Sequence, residues 1–252
     1  MASRRPKQSE LAFPIWGGRR PGAGRKPAGA RPRVSHAAKP KHDGRHPVHV
    51  TVRLREGLPT LRADPVLDIL LEVFVASSSA GFRVVHASLQ ASHLHLLVEA
   101  RDGPALSRGM QGLLVRAARA LNRLWRRRGA LVGDHFHARA LATPREVRNA
   151  LVYVLQNARG HGAIRAGVDR YSTGRWFDGW RDAAAGERAP PRGELGRPRT
   201  WLLREGWRRH GPIATSEVPA PARSRRSDRL AHAGSERPRP VKRADRSLPL
   251  RR

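Results

Sequence analysis

Cysteine is absent from the 252 residues, which removes disulfides, thiolate metal sites and thiol nucleophiles together. Acidic residues are scarce, 20 against 50 basic ones, and the formal net charge is +30. A polyanion is the expected partner, because each neutralised phosphate releases a counterion and adds salt-dependent affinity. Lysine is also rare: only Lys7, Lys26, Lys39, Lys41 and Lys242 are not Arg among the 50 basic residues. Tyrosine occurs twice, as Tyr153 and Tyr171, so tyrosine chemistry has two places to reside. No apolar run approaches the roughly 20 residues of a membrane helix. The opening Met1-Ala-Ser-Arg-Arg-Pro-Lys7 lacks the apolar stretch of a signal peptide. The expected setting is cytoplasmic and nucleoid-associated, with no membrane partner.

Arginine offers a planar fork suited to phosphates and guanine edges. The same Arg, Ala, Gly and Pro abundance also follows from a GC-rich genome, which discounts it as a sign of base reading. The charge is unevenly spread: residues 1–55 carry net +12, residues 56–100 net −3, and residues 101–252 net +21. Residues 1–45 read as a flexible basic arm dominated by Gly, Pro and Arg. Within it, Gly18 to Pro27 is composed to lie extended in a DNA minor groove, with Arg25 and Lys26 as candidate DNA contacts, or to remain a solvated tail.

From His46 the pattern becomes that of a folded domain, 46–165. Val48, Val50, Val52 and Leu54 alternate with polar residues and predict a half-buried strand. Asp64-Pro65 predicts an N-cap and first-turn proline for a helix with Val66, Ile69, Leu70, Val73 and Phe74 on its apolar side. Two strands follow, Phe82 to about Gln90 and His93 to Glu99, close enough for a hairpin. Asp102-Gly-Pro104 opens a long helix closed by Gly129. A fourth strand is expected over His135 to Leu141. Thr143-Pro-Arg-Glu146 is a capping box that starts a helix running to about Gly160. The first six elements, β-α-β-β-α-β, predict an α+β, ferredoxin-like (split β-α-β) antiparallel four-stranded sheet with an extra helix free to cover the other face. Residues 166–215 hold Trp176, Trp180, Trp201 and Trp207 and are expected to fold back on the core. Residues 216–252 read as a disordered basic tail.

In the third strand His93 and His95 share one face while Leu94 and Leu96 point to the other. Their Cα atoms stand about 7 Å apart, two strand rises, so the imidazoles can converge on one ion. On the last core helix Tyr153 and Asn157 are i and i+4, with Gln156 a less well aligned competitor. Val147, Leu151 and Val154 on its other side are apolar and suit the sheet. An amide oxygen and two imidazoles with open positions suit Mg²⁺ or Mn²⁺ holding a substrate phosphate rather than closed structural zinc. Tyr171 lies beyond this helix in a Gly-rich stretch, and His49, His86, His135 and His137 read as strand or sheet-face residues. Arg116, Arg119, Arg123, Arg126, Arg127 and Arg128 line the polar side of the long helix, as a solvated face or a DNA backbone contact.

Ser92-His-Leu-His-Leu-Leu97, Leu106 to Gly112, Ala120 to Arg123, His135-Phe-His-Ala-Arg139 and Tyr153-Val-Leu-Gln-Asn157 together resemble the single-tyrosine HUH transposases, small insertion-sequence transposases and their REP-associated relatives. The resemblance covers about residues 46–165. It implies that His93 and His95 are metal ligands, Asn157 the third ligand and Tyr153 the nucleophile. It further implies cleavage of single-stranded, hairpin-bearing DNA, with a 5′-phosphotyrosine link and a free 3′-OH. The basic arm and the Trp-rich segment are additions to the minimal family pattern.

Two other readings stay open. A domesticated, non-catalytic relative would bind repeats or hairpins on the same sheet. An RNA-binding domain of the RRM type shares the topology but stacks bases on sheet aromatics, and the first and third strands here offer Val, His and Leu instead. The sequence also leaves open whether the tyrosine helix serves its own subunit or the partner in a homodimer.

Overall fold

The computed structural model describes residues 42–182 and 195–219. Arg25 and Lys26, and most of the arm and tail, lie outside the described residues. The element order is β1 (Val48–Arg53), α1 (Asp64–Ala76), β2 (Phe82–Leu89), β3 (His93–Ala100), α2 (Gly103–Leu124), β4 (His137–Ala140), α3 (Pro144–Leu155), α4 (Asn157–Gly160) and α5 (Trp201–Arg204), with 3-10 turns at Thr173–Trp176 and Gly206–His210. The strands stand in the order β2-β3-β1-β4, with every neighbouring pair antiparallel. That is the ferredoxin-like arrangement expected from the element order.

Strand alternation sorts the side chains onto two faces. Val48, Val50 and Val52 of β1 lie opposite Val98, Leu96 and Leu94 of β3, and this face is buried against Val66, Leu70 and Phe74 of α1 and Met110, Leu113, Ala117 and Leu121 of α2. Fully burying each of the Val, Leu, Phe and Met side chains contributes about 1.5–3 kcal/mol. The other face, carrying Leu97 and Val85, is covered by Val147, Leu151 and Val154 of α3 and by Leu202, Leu203 and Trp207. β3 is therefore covered on both sides, which explains its near-continuous apolar run Leu94 to Val98. A register shift between Val84 and His86 leaves Val85 as the extra residue of a bulge.

The local start signals act at two helices and differ at one. Asp102 caps α2 by accepting from the Ala105 N–H at 2.7 Å, and Thr143 and Glu146 complete the capping box of α3. At α1 the N-cap is Ala63, not Asp64, and no side chain caps it. Asp64 instead accepts from the Tyr171 hydroxyl at 3.1 Å and pairs with Arg170 at 2.8 Å, a tertiary pull that overrides the local cap. β4 is shorter than the segment His135 to Leu141 suggested, beginning at His137 on the sheet edge.

The chain after α4 is tied back by buried polar groups. Arg62 grips Asp169 through two bonds of 2.9 Å, and Leu89 N–H donates to the Tyr171 carbonyl at 2.8 Å. Glu99, inside the sheet edge, accepts from the backbone of Arg199 and Thr200 and from the Thr200 hydroxyl, which fixes the start of α5. Arg148 on α3 holds Glu217 through bonds of 2.7 and 2.9 Å. Trp207 is 1% exposed against Phe177, whereas Trp201 is 45% exposed.

Candidate active site

The register of β1 on β3 decides which side chains meet. Thr51 lies opposite His95, Arg53 opposite His93 and His49 opposite Leu97, so His49, Thr51, His93 and His95 all stand on the face that α3 covers. The apolar stripe Val147, Leu151 and Val154 seats α3 on this face, and Tyr153, at the edge of the stripe, turns toward the imidazoles. The phenol ring meets His95 edge-on at a centroid distance of 5.2 Å and His49 at 5.4 Å. His49 in turn stacks on His95 at 5.6 Å. His49, His93, His95 and Tyr153 of one chain make up this cluster.

His93 and His95 lie parallel, their centroids 6.4 Å apart. Two imidazoles on one ion at about 2.1 Å, in tetrahedral or octahedral angles, have centroids roughly 4.5–5.5 Å apart. The pair thus shares a face and an orientation but must close by about an ångström, a side-chain rotation, to converge. Both rings have their Nδ1 engaged: the Ser92 hydroxyl sits 2.9 Å from that of His93 and the Thr51 hydroxyl 3.2 Å from that of His95. With Nδ1 held by a hydroxyl, Nε2 is the nitrogen left for a ligand.

Burial keeps these imidazoles neutral, the form that carries a lone pair for a metal. His95, 6% exposed, is pushed down to about 3 by desolvation and then by the neighbouring His49, His93 and His161. His49 falls to about 4 through desolvation, with Arg139 adding to it. His93 is lowered by desolvation, Arg53 and His161. Neither His49 nor His161 was singled out by sequence reasoning. The signal for His49 was its place in the polar alternation His49, Thr51, Arg53, which only the pairing register converts into a neighbour of His95. His161 carries no such signal.

The helix bearing Tyr153 does not run unbroken to Gly160. Gln156 interrupts it with φ −115° and ψ 17°, so α3 ends at Leu155 and α4 begins at Asn157. The Gln156 amide donates to the Thr215 carbonyl at 2.6 Å, and the Ser172 hydroxyl donates to the Leu155 carbonyl at 3.4 Å. Tertiary partners thus take groups from the last turn. Asn157 is 2% exposed and its Oδ1 has no hydrogen-bond partner. A buried acceptor left unpaired is costly, and a cation would satisfy it. Gln156 Oε1 is likewise unpaired, but its Nε2 is committed to Thr215. Among the described residues no three His, Asp or Glu side chains group as a metal cage.

The remaining candidates are dispersed. Tyr171 lies at the α1 corner, its hydroxyl bonded to Asp64, and desolvation together with that carboxylate raises its pKa. α2 packs on the sheet face opposite the imidazoles. Arg123, Arg126 and Arg128 are exposed near its end, and Arg127 donates to the Asn122 side chain at 2.6 Å; Arg116 and Arg119 are exposed farther back. None of the six touches the imidazole cluster. His137 lies opposite Thr51 on β4, exposed.

No family model matches the chain, and no curated protein does. Among solved structures it is similar to one described as a REP-associated tyrosine transposase bound to a REP hairpin, at 16% identity and a TM-score of 0.44, over 52% of this chain and 76% of that one. The fold stands on the strand order itself. No described helix is long and apolar enough to cross a membrane.

The hydroxyl behind His95 gives a prediction at this point. Thr51→Val keeps shape and removes the partner of Nδ1; were His95 a metal ligand, the Mn²⁺ affinity of the variant would fall about 10–100-fold, the usual cost of losing such a support. Unchanged affinity would mean that Thr51 does not orient the ring.

Proposed function

We propose that this chain cleaves and rejoins DNA strands, with Tyr153 attacking a phosphodiester of single-stranded, hairpin-bearing DNA. The reading is carried by one observation: the Tyr153 ring packs against His95, with His49 in contact with both, on the sheet face that also bears His93. The phenol oxygen forms a bond to phosphorus as the bond from phosphorus to the 3′-oxygen breaks. The phenolic proton is given up and the 3′-oxygen leaves as a hydroxyl. The products are a 5′-phosphotyrosine ester and a free 3′-OH. Because the ester retains the bond energy, attack by a 3′-OH reverses the step and rejoins strands without a nucleotide cofactor.

His93, His95 and Asn157 would hold Mg²⁺ or Mn²⁺. When bound, such an ion supplies positive charge that favours phenolate and the charge developing on the phosphate. The protein's own part is positional. Thr51 and Ser92 set the imidazole tautomers, burial holds the rings neutral, and His49 fills the space beside the phenol so that the ring has one resting place. The excess of basic groups holds the DNA backbone.

One observation favours the non-catalytic alternative, the parallel rather than converging His93 and His95 rings. A single experiment separates the two. The protein incubated with labelled hairpin DNA and Mn²⁺ is expected to form an SDS-stable adduct that Tyr153→Phe abolishes and Tyr171→Phe leaves intact. Tight, salt-sensitive hairpin binding with no cleavage under any divalent metal would establish the non-catalytic reading.

A further inference from the structure

Across the sheet from Tyr153, on the layer formed by α1 and α2, lies a cleft of about 350 Å³. Ser77 and Ser79 line it from the end of α1, Phe82 from the start of β2, and Arg101, Arg108 and Arg116 from beside and along α2. Arg108, Gly112 and Arg116 are spaced by four and form one stripe of the helix. We infer that this cleft is a phosphate-binding site, separate from the tyrosine site.

Three features show that the cleft is built rather than incidental. The first is Ser77, 8% exposed, whose hydroxyl has no hydrogen-bond partner although it lines the cleft. That oxygen is closed off even from water in this arrangement, so a ligand that accepts hydrogen bonds reaches it once the Ser77 side chain rotates toward the cleft. The second is the charge. Arg101 is bonded to Asp102 at 3.0 Å, but neither Arg108 nor Arg116 forms a salt bridge among the described residues. The third is the pair of glycines inside α2, where glycine disfavours the helix. A Cβ on Gly109 would stand 2.2 Å from the Phe82 ring, so this glycine lets the helix press against β2 and close the back of the cleft. A Cβ on Gly112 would stand 2.9 Å from Arg116 Nη1, so this glycine gives the guanidinium room to fold back along the helix toward Arg108.

Guanidinium forks plus a hydroxyl match the several acceptor oxygens and negative charge of a phosphate group. The group comes either from a nucleic-acid backbone or from a small phosphorylated molecule. The first source rests on the DNA reading above; the cleft itself does not. A backbone phosphate seated here would hold duplex or flanking strand on the far side of the sheet from the scissile bond.

The test uses the full chain in EDTA, so that cleavage plays no part, with Arg108→Gln/Arg116→Gln and Gly112→Ala as variants. Gly112→Ala keeps the charge and improves helix propensity, so misfolding does not mimic its effect. Inorganic phosphate binding is read by phosphorus NMR, and hairpin DNA binding by anisotropy across a salt series. Wild type is expected to bind phosphate saturably, the double variant at least tenfold more weakly, and Gly112→Ala, whose Cβ meets only the movable end of Arg116, a few-fold more weakly. For DNA, the double variant should lower the slope of log K on log salt by about one, for the single phosphate no longer neutralised. Gly112→Ala should weaken binding with no change in net charge. Loss of phosphate binding with DNA affinity unchanged supports the site and assigns it a small phosphorylated ligand. Equal binding of both probes by wild type and both variants overturns it, whether or not Tyr153 proves to be a nucleophile.

Discussion

Lowering the pH from 6.5 to 4 is expected to remove on the order of 5–10 kcal/mol of folding free energy, comparable with the whole stability of a domain this size. The cause is three buried imidazoles. His86, beside Thr173 and edge-on to Phe177, is pushed down to about 4 by desolvation, with Asp178 opposing slightly; His49 falls to about 4 and His95 to about 3. A histidine whose folded pKa lies below its unfolded value near 6.5 takes up its proton first in the unfolded chain. Stability is therefore fully present above 6.5 and declines as pH falls toward the folded values. Each pKa unit is about 1.4 kcal/mol, so His86 alone accounts for roughly 3 kcal/mol. Carboxylates such as Glu217, lowered chiefly by its bonds to Arg148, act at lower pH, below the ordinary glutamate value. Urea midpoints at half-unit pH steps would show a steep fall between 6 and 4. Midpoints that stay flat to pH 4.5 would mean that the imidazoles are not buried in the neutral form.

The second large effect concerns the donor set. His95→Ala is expected to reduce strand cleavage by about 10³-fold or more, the rate equivalent of several kcal/mol of charge stabilisation, while hairpin affinity stays within a few-fold. The split matters because a folding defect would lower both. The neighbouring amides should separate in the same way. Asn157→Ala should cost cleavage and Mn²⁺ affinity. Gln156→Ala removes a buried bond to Thr215 and should cost about 1–3 kcal/mol of stability, with the smaller effect on metal. The reverse pattern would make Gln156 the third donor.

Much of this was legible because the signals are local. Alternation placed β1, the capping box placed the start of α3, and strand parity put His93 and His95 on one face with Leu94 and Leu96 on the other. The apolar stripe Val147, Leu151 and Val154 told which side of α3 meets the sheet, but it set Tyr153 on the other side, and only the structure shows the phenol turning from the edge of that stripe toward the imidazoles. What escaped depends on partners distant in sequence. His49 joins the cluster through the β1–β3 register, and Asp64 gives up its cap for Tyr171 and Arg170. The break at Gln156 has no glycine or proline to announce it, because Thr215 and Ser172 hold the groups concerned. The cleft under Arg108 and Arg116 needed coordinates too, since a glycine within a helix says nothing of the ring or guanidinium it makes room for.

The central claim is that the Tyr153 oxygen itself becomes joined to DNA. It is tested most directly by trapping the protein on 5′-phosphate-labelled hairpin DNA with Mn²⁺, digesting the adduct and locating the nucleotide by mass spectrometry. The account predicts a phosphotyrosine ester in the peptide that holds Tyr153 and none in the peptide that holds Tyr171. A nucleotide on any other residue, or cleaved DNA with no covalent adduct, would contradict it.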